Sequence, residues 1–264
     1  MPPSPRIRSR IVSVLLPILL LACASCHPRI TEQGKRRLRL AADLINQSSH
    51  SVAADELSTF LEDFPRSDEV GEALYMIGLC RVKVGEPEQA RRDFQAALAA
   101  ADVLILEHYV RLSLANLAFE RQDYHTAGEF YGPYLDSLPH RPPFHLAFYR
   151  YGLTLQATGR WKQADVQFSR ILRLFPEADI LPSVRKHFGW SHYAIELGRF
   201  DSFELAQRQR QEFPDLADQL HWHRQWQPDG WQHINRYGKF SDLEQAKDAL
   251  GKIAPRAAGA RIVP

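Results

Sequence analysis

Cysteine is scarce in this chain: 264 residues hold three, Cys23, Cys26 and Cys80. Two stand close together near the start and the third stands apart, so no disulfide framework is available. The fold must be held by apolar packing. An excess of one charge is also missing, with Lys+Arg 33 against Asp+Glu 31. Arg6, Arg8 and Arg10 lie in a segment expected to be removed, and without them 30 basic residues face 31 acidic ones. No basic stripe is visible, which argues against a nucleic-acid partner. Catalytic signatures are lacking too: G-x-x-x-x-G-K-[ST], H-E-x-x-H and G-x-S-x-G do not occur. Each would place a phosphate cradle, a metal pair or a nucleophile, so no catalytic residue, metal or cofactor is assigned and no enzyme is expected. What is present is ordinary for a folded protein, with 45% hydrophobic and 24% charged residues, and this excludes wholesale disorder.

The opening residues have the composition of a secretory leader. Three arginines precede Ile11–Ala22, an almost wholly apolar run. That run is shorter than the roughly 20 residues a spanning helix needs. Leu20-Leu21-Ala22-Cys23 follows and resembles the bacterial lipobox, in which cleavage leaves the cysteine as a lipidated N-terminus. The expectation is a signal peptide over 1–22, a lipidated linker over 23–32 and an anchor at Cys23, with Cys26 as the other candidate. Ala24 stands where an aspartate is associated with inner-membrane retention, so the expected destination is the outer membrane, facing the periplasm. Cys23-Ala24-Ser25-Cys26-His27 also fits the C-x-x-C-H haem-attachment pattern. Lipidation or cleavage would destroy that pattern, so no haem is expected.

From about residue 33 the sequence repeats itself. Ala53, Ala90, Ala127 and Ala164 recur at a spacing of 37. Four residues after them come Leu57, Phe94, Tyr131 and Phe168, and seven after come Phe60, Ala97, Tyr134 and Ile171. Twelve before stand the small residues Ala41, Gly78, Ala115 and Gly152; twelve after stand Pro65, Asp102, Pro139 and Pro176. A fixed period of this length marks stacked supersecondary units. In the fourth copy Phe148, Gly152 and Leu155 make one helical stripe, and Trp161, Ala164, Phe168 and Ile171 make another. Gly159 ends the first helix and Pro176 stops the second.

This order of small, aromatic and proline positions resembles the tetratricopeptide repeat (TPR). The phrasing Phe64-Pro65-Arg66-Ser67, Gly71 to Tyr75, Gly78, Gly85 and Ala90 is similar to envelope TPR proteins. Among these are the TPR lipoprotein of the outer-membrane β-barrel assembly machinery and the periplasmic coordinator of the Tol–Pal system. The resemblance implies an all-α fold: a right-handed solenoid of stacked helix pairs over 33–214, with 182–214 as a degenerate fifth copy. It also implies a binding groove lined by first helices, including Tyr75, Leu79, Lys83, Leu112, Asn116, Phe119, Tyr149, Leu153, Gln156 and His192. Envelope proteins or peptides are the expected partners.

Residues 215–264 leave the period and are expected to form a small C-terminal module. Trp222 and Trp226, four apart, suggest a capping helix that seals the last repeat. His221, His223 and His233 do not suggest a metal site, because residues two apart on a helix diverge. Ser241 with Glu244 suggests a capping box for a helix ending at Ile253, and Gly259–Val263 suggests a short strand. A strand, a Gly-Phe turn, a capped helix and a strand are similar to half of a SPOR domain, a peptidoglycan-binding module. That resemblance implies cell-wall attachment as the alternative function.

Overall fold

A computed structural model describes residues 30–264 apart from positions 142 and 229. The leader, Cys23, Cys26 and the C-x-x-C-H pattern lie outside the described residues. Within the described residues no helix is long and apolar enough to cross a membrane. The chain divides into two compact units, the first ending at Val110 and the second starting at Arg111.

The first unit contains α1 (Glu32–Asn46), α2 (His50–Asp63), α3 (Val70–Lys83) and α4 (Pro87–Ala100). These pack as consecutive antiparallel neighbours, in TPR-like pairs. Ala41, Leu57, Phe60, Ala73 and Ile77 form its core, with Phe64 packed against them. Thr31 opens α1 by accepting a hydrogen bond from the Gly34 backbone N–H at 3.3 Å. Pro87 begins α4, where the N–H it lacks would have no helical partner.

Next come α5 (Leu104–Glu120), α6 (Tyr124–Tyr131), α7 (His145–Ala157), α8 (Trp161–Leu174) and α9 (Leu181–His187). The repeat register is borne out where it matters most: Ala53, Ala90, Ala127 and Ala164 are all fully buried. Phe94 and Phe168 are fully buried four residues on, and Gly85 and Gly159 take the positive φ that ends first helices. The third copy departs from the pattern. Pro133 lacks an N–H and disfavours helix at the residue before it, so α6 stops at Tyr131. A 3₁₀ turn over Leu135–Ser137 then carries Leu135 into the core in place of Tyr134.

The expected fifth helix pair does not form. After the short α9 the chain becomes β1 (Tyr193–Phe200), α10 (Phe203–Gln211), a 3₁₀ turn (Pro214–Gln219), β2 (Leu220–Gln227), β3 (Gly230–Phe240), α11 (Leu243–Ile253) and β4 (Arg261–Val263). The strands make one antiparallel sheet in the order β2-β3-β1-β4. This βαββαβ sequence is the split-βαβ arrangement of ferredoxin-like modules. The expected short strand pair is therefore a four-stranded sheet, and its first half is residues 193–227. Leu220 to Gln227 is not a capping helix but a strand, on which apolar Leu220 and Trp222 alternate with His221 and His223. Ile195, Leu197, Phe213, Leu220, Ile253 and Ala257 form the module's core. The cap of α11 is Asp242, whose Oδ1 accepts from the Gln245 N–H at 2.9 Å, rather than Ser241.

The module seats on the fourth repeat within the same unit. Trp161 Nε1 donates to the Ser241 carbonyl at 2.8 Å, and its ring meets Tyr193 edge-on at 4.9 Å. A Cβ on Gly159 would stand 2.9 Å from that same carbonyl oxygen, so the turn must be glycine for two reasons.

Candidate protein-binding surface

Each first helix carries side chains not consumed by the core. On α3, Tyr75 is half-buried with its ring 5.7 Å from Phe94. Leu79 and Val82 are 39% and 40% exposed, and Lys83 is exposed beside them. Arg81 is fixed by Asp93, its Nη1 donating to both carboxylate oxygens at 2.8 and 2.7 Å. Burial raises the Asp93 pKa, and Arg81 opposes it without reversing the direction. This strip is apolar and ends at Lys83, which has no ion-pair partner among the described residues.

In the second unit α5 and α7 are joined by Arg150. Its Nη1 donates to Asn116 Oδ1 at 2.9 Å and its Nη2 to Glu120 Oε1 at 2.7 Å. The guanidinium carbon lies 5.5 Å from the Phe119 ring centroid, within cation–π range. Tyr131 Oη also donates to Asn116 Oδ1, at 2.6 Å. The Asn116 oxygen thus has two donors, and only its amide N–H groups remain for a partner. Phe119 is half-buried with Tyr124 edge-on at 5.7 Å. Tyr149 is half-buried on α7, its ring 6.1 Å from Phe168 and 6.0 Å from His187. Burial raises the Tyr149 phenol pKa against a hydrogen bond with Ser183. Leu112 and Leu153 are half-buried.

Two expected wall residues are corrected. Gln156 is fully buried; its Nε2 donates to the His187 carbonyl at 2.7 Å and its Oε1 lies 3.1 Å from His187 Nδ1. It closes α9 onto α7 and presents nothing to a groove. Burial, then Lys186, lowers the His187 pKa, which suits a neutral ring inside this contact. His192 is not on a first helix at all, because the chain there is entering β1. Burial lowers its pKa, with Lys239, Arg236 and His221 adding to the effect.

Arg150 and Glu120 were missed in the sequence. The signal was available in the helical spacing, since Arg150 stands three residues before Leu153, the position that matches Asn116 one 37-residue period earlier.

The module offers a second surface. One row crosses all four strands, pairing His221 with Arg236, Arg236 with Glu196 and Glu196 with Arg261. Glu196 is 3% exposed and accepts from Arg199 at 2.7 and 2.9 Å and from Arg261 at 3.1 and 2.7 Å. Burial would raise its pKa, but the two guanidinium groups outweigh it and hold the carboxyl below the usual range. On a strand His221 and His223 share a face, contrary to the helical expectation, while His233 lies on the other face against Phe203 and Trp222. Among the described residues no three His, Cys, Asp or Glu side chains come together as a metal site.

Comparison with known proteins bears on the helical part. The family model "Tetratricopeptide repeat" matches residues 72–100 and 146–178, which fall on α3–α4 and α7–α8. No curated protein sequence matches the chain. A solved tetratricopeptide repeat protein from Parabacteroides merdae is similar in fold, with TM-score 0.52, 16% identity, and 60% of this chain covered. This chain spans 59% of that one. Pseudomonas aeruginosa pilF is similar with TM-score 0.51 and 15% identity, over 62% of this chain and 68% of that one. These likenesses are of fold, and the two segments matched by the family model are tetratricopeptide repeats.

Proposed function

We propose that this protein is a lipid-anchored scaffold of the bacterial outer membrane, holding an envelope protein or peptide on its first-helix faces. The observation that supports this most is the Arg150 bridge. It locks Phe119, Asn116 and Glu120 into one arrangement, so a partner meets a wall already ordered and loses less entropy on binding. Leu79, Val82 and Lys83 supply a similar apolar strip in the first unit. The basic leader and Leu20-Leu21-Ala22-Cys23 support the anchor and its periplasmic orientation. Crosslinking of the native protein in its membrane, followed by identification of what is joined to these faces, tests the reading.

A second reading is attachment to peptidoglycan through the C-terminal module. It is favoured by one observation, the completed βαββαβ topology with basic side chains along its sheet row. Those cations suit the carboxylates of cell-wall peptides. Sedimentation of the protein with purified peptidoglycan, compared with Arg236→Ala, separates the two readings.

A further inference from the structure

One edge of the module's sheet is unguarded. β2 hydrogen-bonds to β3 alone, and its other side is open among the described residues. An open strand edge is a template for pairing, and folded proteins blunt theirs with bulges, proline or very short strands. The opposite edge strand, β4, is three residues long. β2 is eight residues long, holds no proline, and runs against β3 without a register break from Leu220↔Tyr237 to Gln227↔Gly230. Its one arginine, Arg224, does not stand out from the edge, because its guanidinium carbon lies 4.8 Å from the Trp231 ring centroid. Trp222 and Trp226 flank it and are 43% and 62% exposed, unusually open for such large apolar groups.

The hairpin decides which backbone groups of β2 are free. Gln227 and Gly230 are partners across a two-residue loop, so they exchange hydrogen bonds, as do alternate residues back along the ladder. His221, His223 and Gln225 therefore turn their N–H and C=O groups to β3. Leu220, Trp222, Arg224 and Trp226 aim theirs outward. These four also carry their side chains on the helix side of the sheet, where Leu220 joins the core and Trp222 meets Phe203.

We infer that β2 pairs antiparallel with β2 of a second copy of this chain, about a two-fold axis at His223, joining the two four-stranded sheets into one. Outward residues must meet outward residues, and only two such offsets use as many as seven of the eight strand residues. An axis at Arg224 sets guanidinium opposite guanidinium, a like-charge pair that opposes docking. An axis at His223 sets Arg224 opposite Trp222 of the second copy, so the cation gains a second ring. It also sets Leu220 opposite Trp226, and on the other face His221 opposite Gln225. Burial, then Arg236, lowers the His223 pKa, which keeps both axial rings neutral near pH 7. The strand supplies each complement from its own pattern, cation to aromatic and apolar to apolar, which is why the occupant is this same chain.

The test uses the purified full-length protein in mild detergent, with single cysteines placed on the sheet face away from the helices. The unsubstituted protein gives the background from its own cysteines. His223→Cys sets two thiols at the axis, where the Cα atoms of a non-hydrogen-bonded pair stand about 4.5 Å apart, within disulfide reach. Mild oxidation links this variant into a covalent dimer about ten-fold faster than background or more. Gln225→Cys alone stays at background, because its two copies lie about 13 Å apart along the strands. Mixing His221→Cys with Gln225→Cys restores the link, as a mixed dimer. Adding Arg224→Pro to His223→Cys removes an outward N–H and no bond to β3, so the link falls about ten-fold while the melting temperature is kept. The three cysteine variants decide the question even if the proline variant unfolds. Linkage of Gln225→Cys alone as fast as His223→Cys would overturn the inference, since it would show contact without register. A His223→Cys protein that stays at background would overturn it as well, leaving the edge to a strand from a different protein.

Discussion

Gly152 lies directly under the ring of Phe168, so closely that a Cβ there would collide with Cε1 and Cζ. The same relationship holds two repeats earlier, where a Cβ on Gly78 would stand 2.5 Å from Phe94 Cε1. The small position twelve before the alanine and the aromatic position four after it are thus two sides of one helix contact.

Gly152→Ala tests that contact. Helix propensity alone favours alanine by about 1 kcal/mol. Phe168 is fully buried and has nowhere to go, so overpacking of about 1–3 kcal/mol should win. Denaturant unfolding should show a lower midpoint. Gly251→Ala is the control: it lies in α11 with nothing within 4 Å of the new Cβ, so it should stabilise by up to about 1 kcal/mol. A Gly152→Ala midpoint at or above the wild type would mean that the ring repacks freely.

Trp161→Phe should loosen the module from the fourth repeat. The substitution keeps a ring against Tyr193 but removes the N–H donated to the Ser241 carbonyl, a loss of about 0.5–1.5 kcal/mol. Amide exchange in α11 should accelerate while exchange in α7 and α8 stays close to wild type. Equal acceleration everywhere would place the effect in the repeats instead.

Glu196 gives the sheet a pH dependence. Its folded pKa is lowered, so its stabilisation is present above the ordinary carboxylate value of about 4.3 and is lost as pH falls through the lower folded value. Glu196→Gln should therefore cost about 1–3 kcal/mol at neutral pH, where two guanidinium groups lose their acceptor. The gap between variant and wild type should close in acid. A gap that stays constant down to pH 3 would mean that the charge of Glu196 contributes nothing.

The helix pairs were legible because their chemistry is local and periodic: small residues at close contacts, glycine at positive φ, proline at stops. The exception, α6, broke at Pro133, a stop that lay inside the repeat and was not weighed against the period. The module was half legible. Residues 242–253 announce a capped helix, but Trp222 and Trp226 suit a helical spacing of four as well as alternate positions on a strand. The Pro228-Asp229-Gly230 break after that alternating run is the turn signal that separates the two readings. Strand β1 was hidden by its burial on both faces, since a nearly continuous buried run reads equally as helix. On the binding surface Phe119 and Tyr149 were legible as large aromatics on successive first helices. Gln156 was not, because only the position of α9 turns its amide inward.

The anchor is tested by metabolic labelling with palmitate. Label should enter the wild type and disappear in Cys23→Ser. Label kept in that variant but lost in Cys26→Ser would move the site three residues on, and an unlabelled wild type would remove the anchor from the account. More than one acyl chain is needed for stable attachment, so the wild type should stay with membranes through washing.

Partners are expected to bind the first-helix faces. The most direct measurement places a photo-crosslinking residue at Lys83 or Leu153 on first helices, and at the exposed Val166 on a second helix, in the membrane-bound protein. First-helix binding predicts one specific product from the first two positions and none from Val166. It also predicts about a ten-fold loss of the Leu153 product when Phe119 and Tyr149 are both replaced by alanine, equivalent to roughly 1.4 kcal/mol, in a variant whose melting temperature is preserved. A product that forms equally from Val166, or that survives both substitutions and vanishes only on truncation after Phe213, would contradict it.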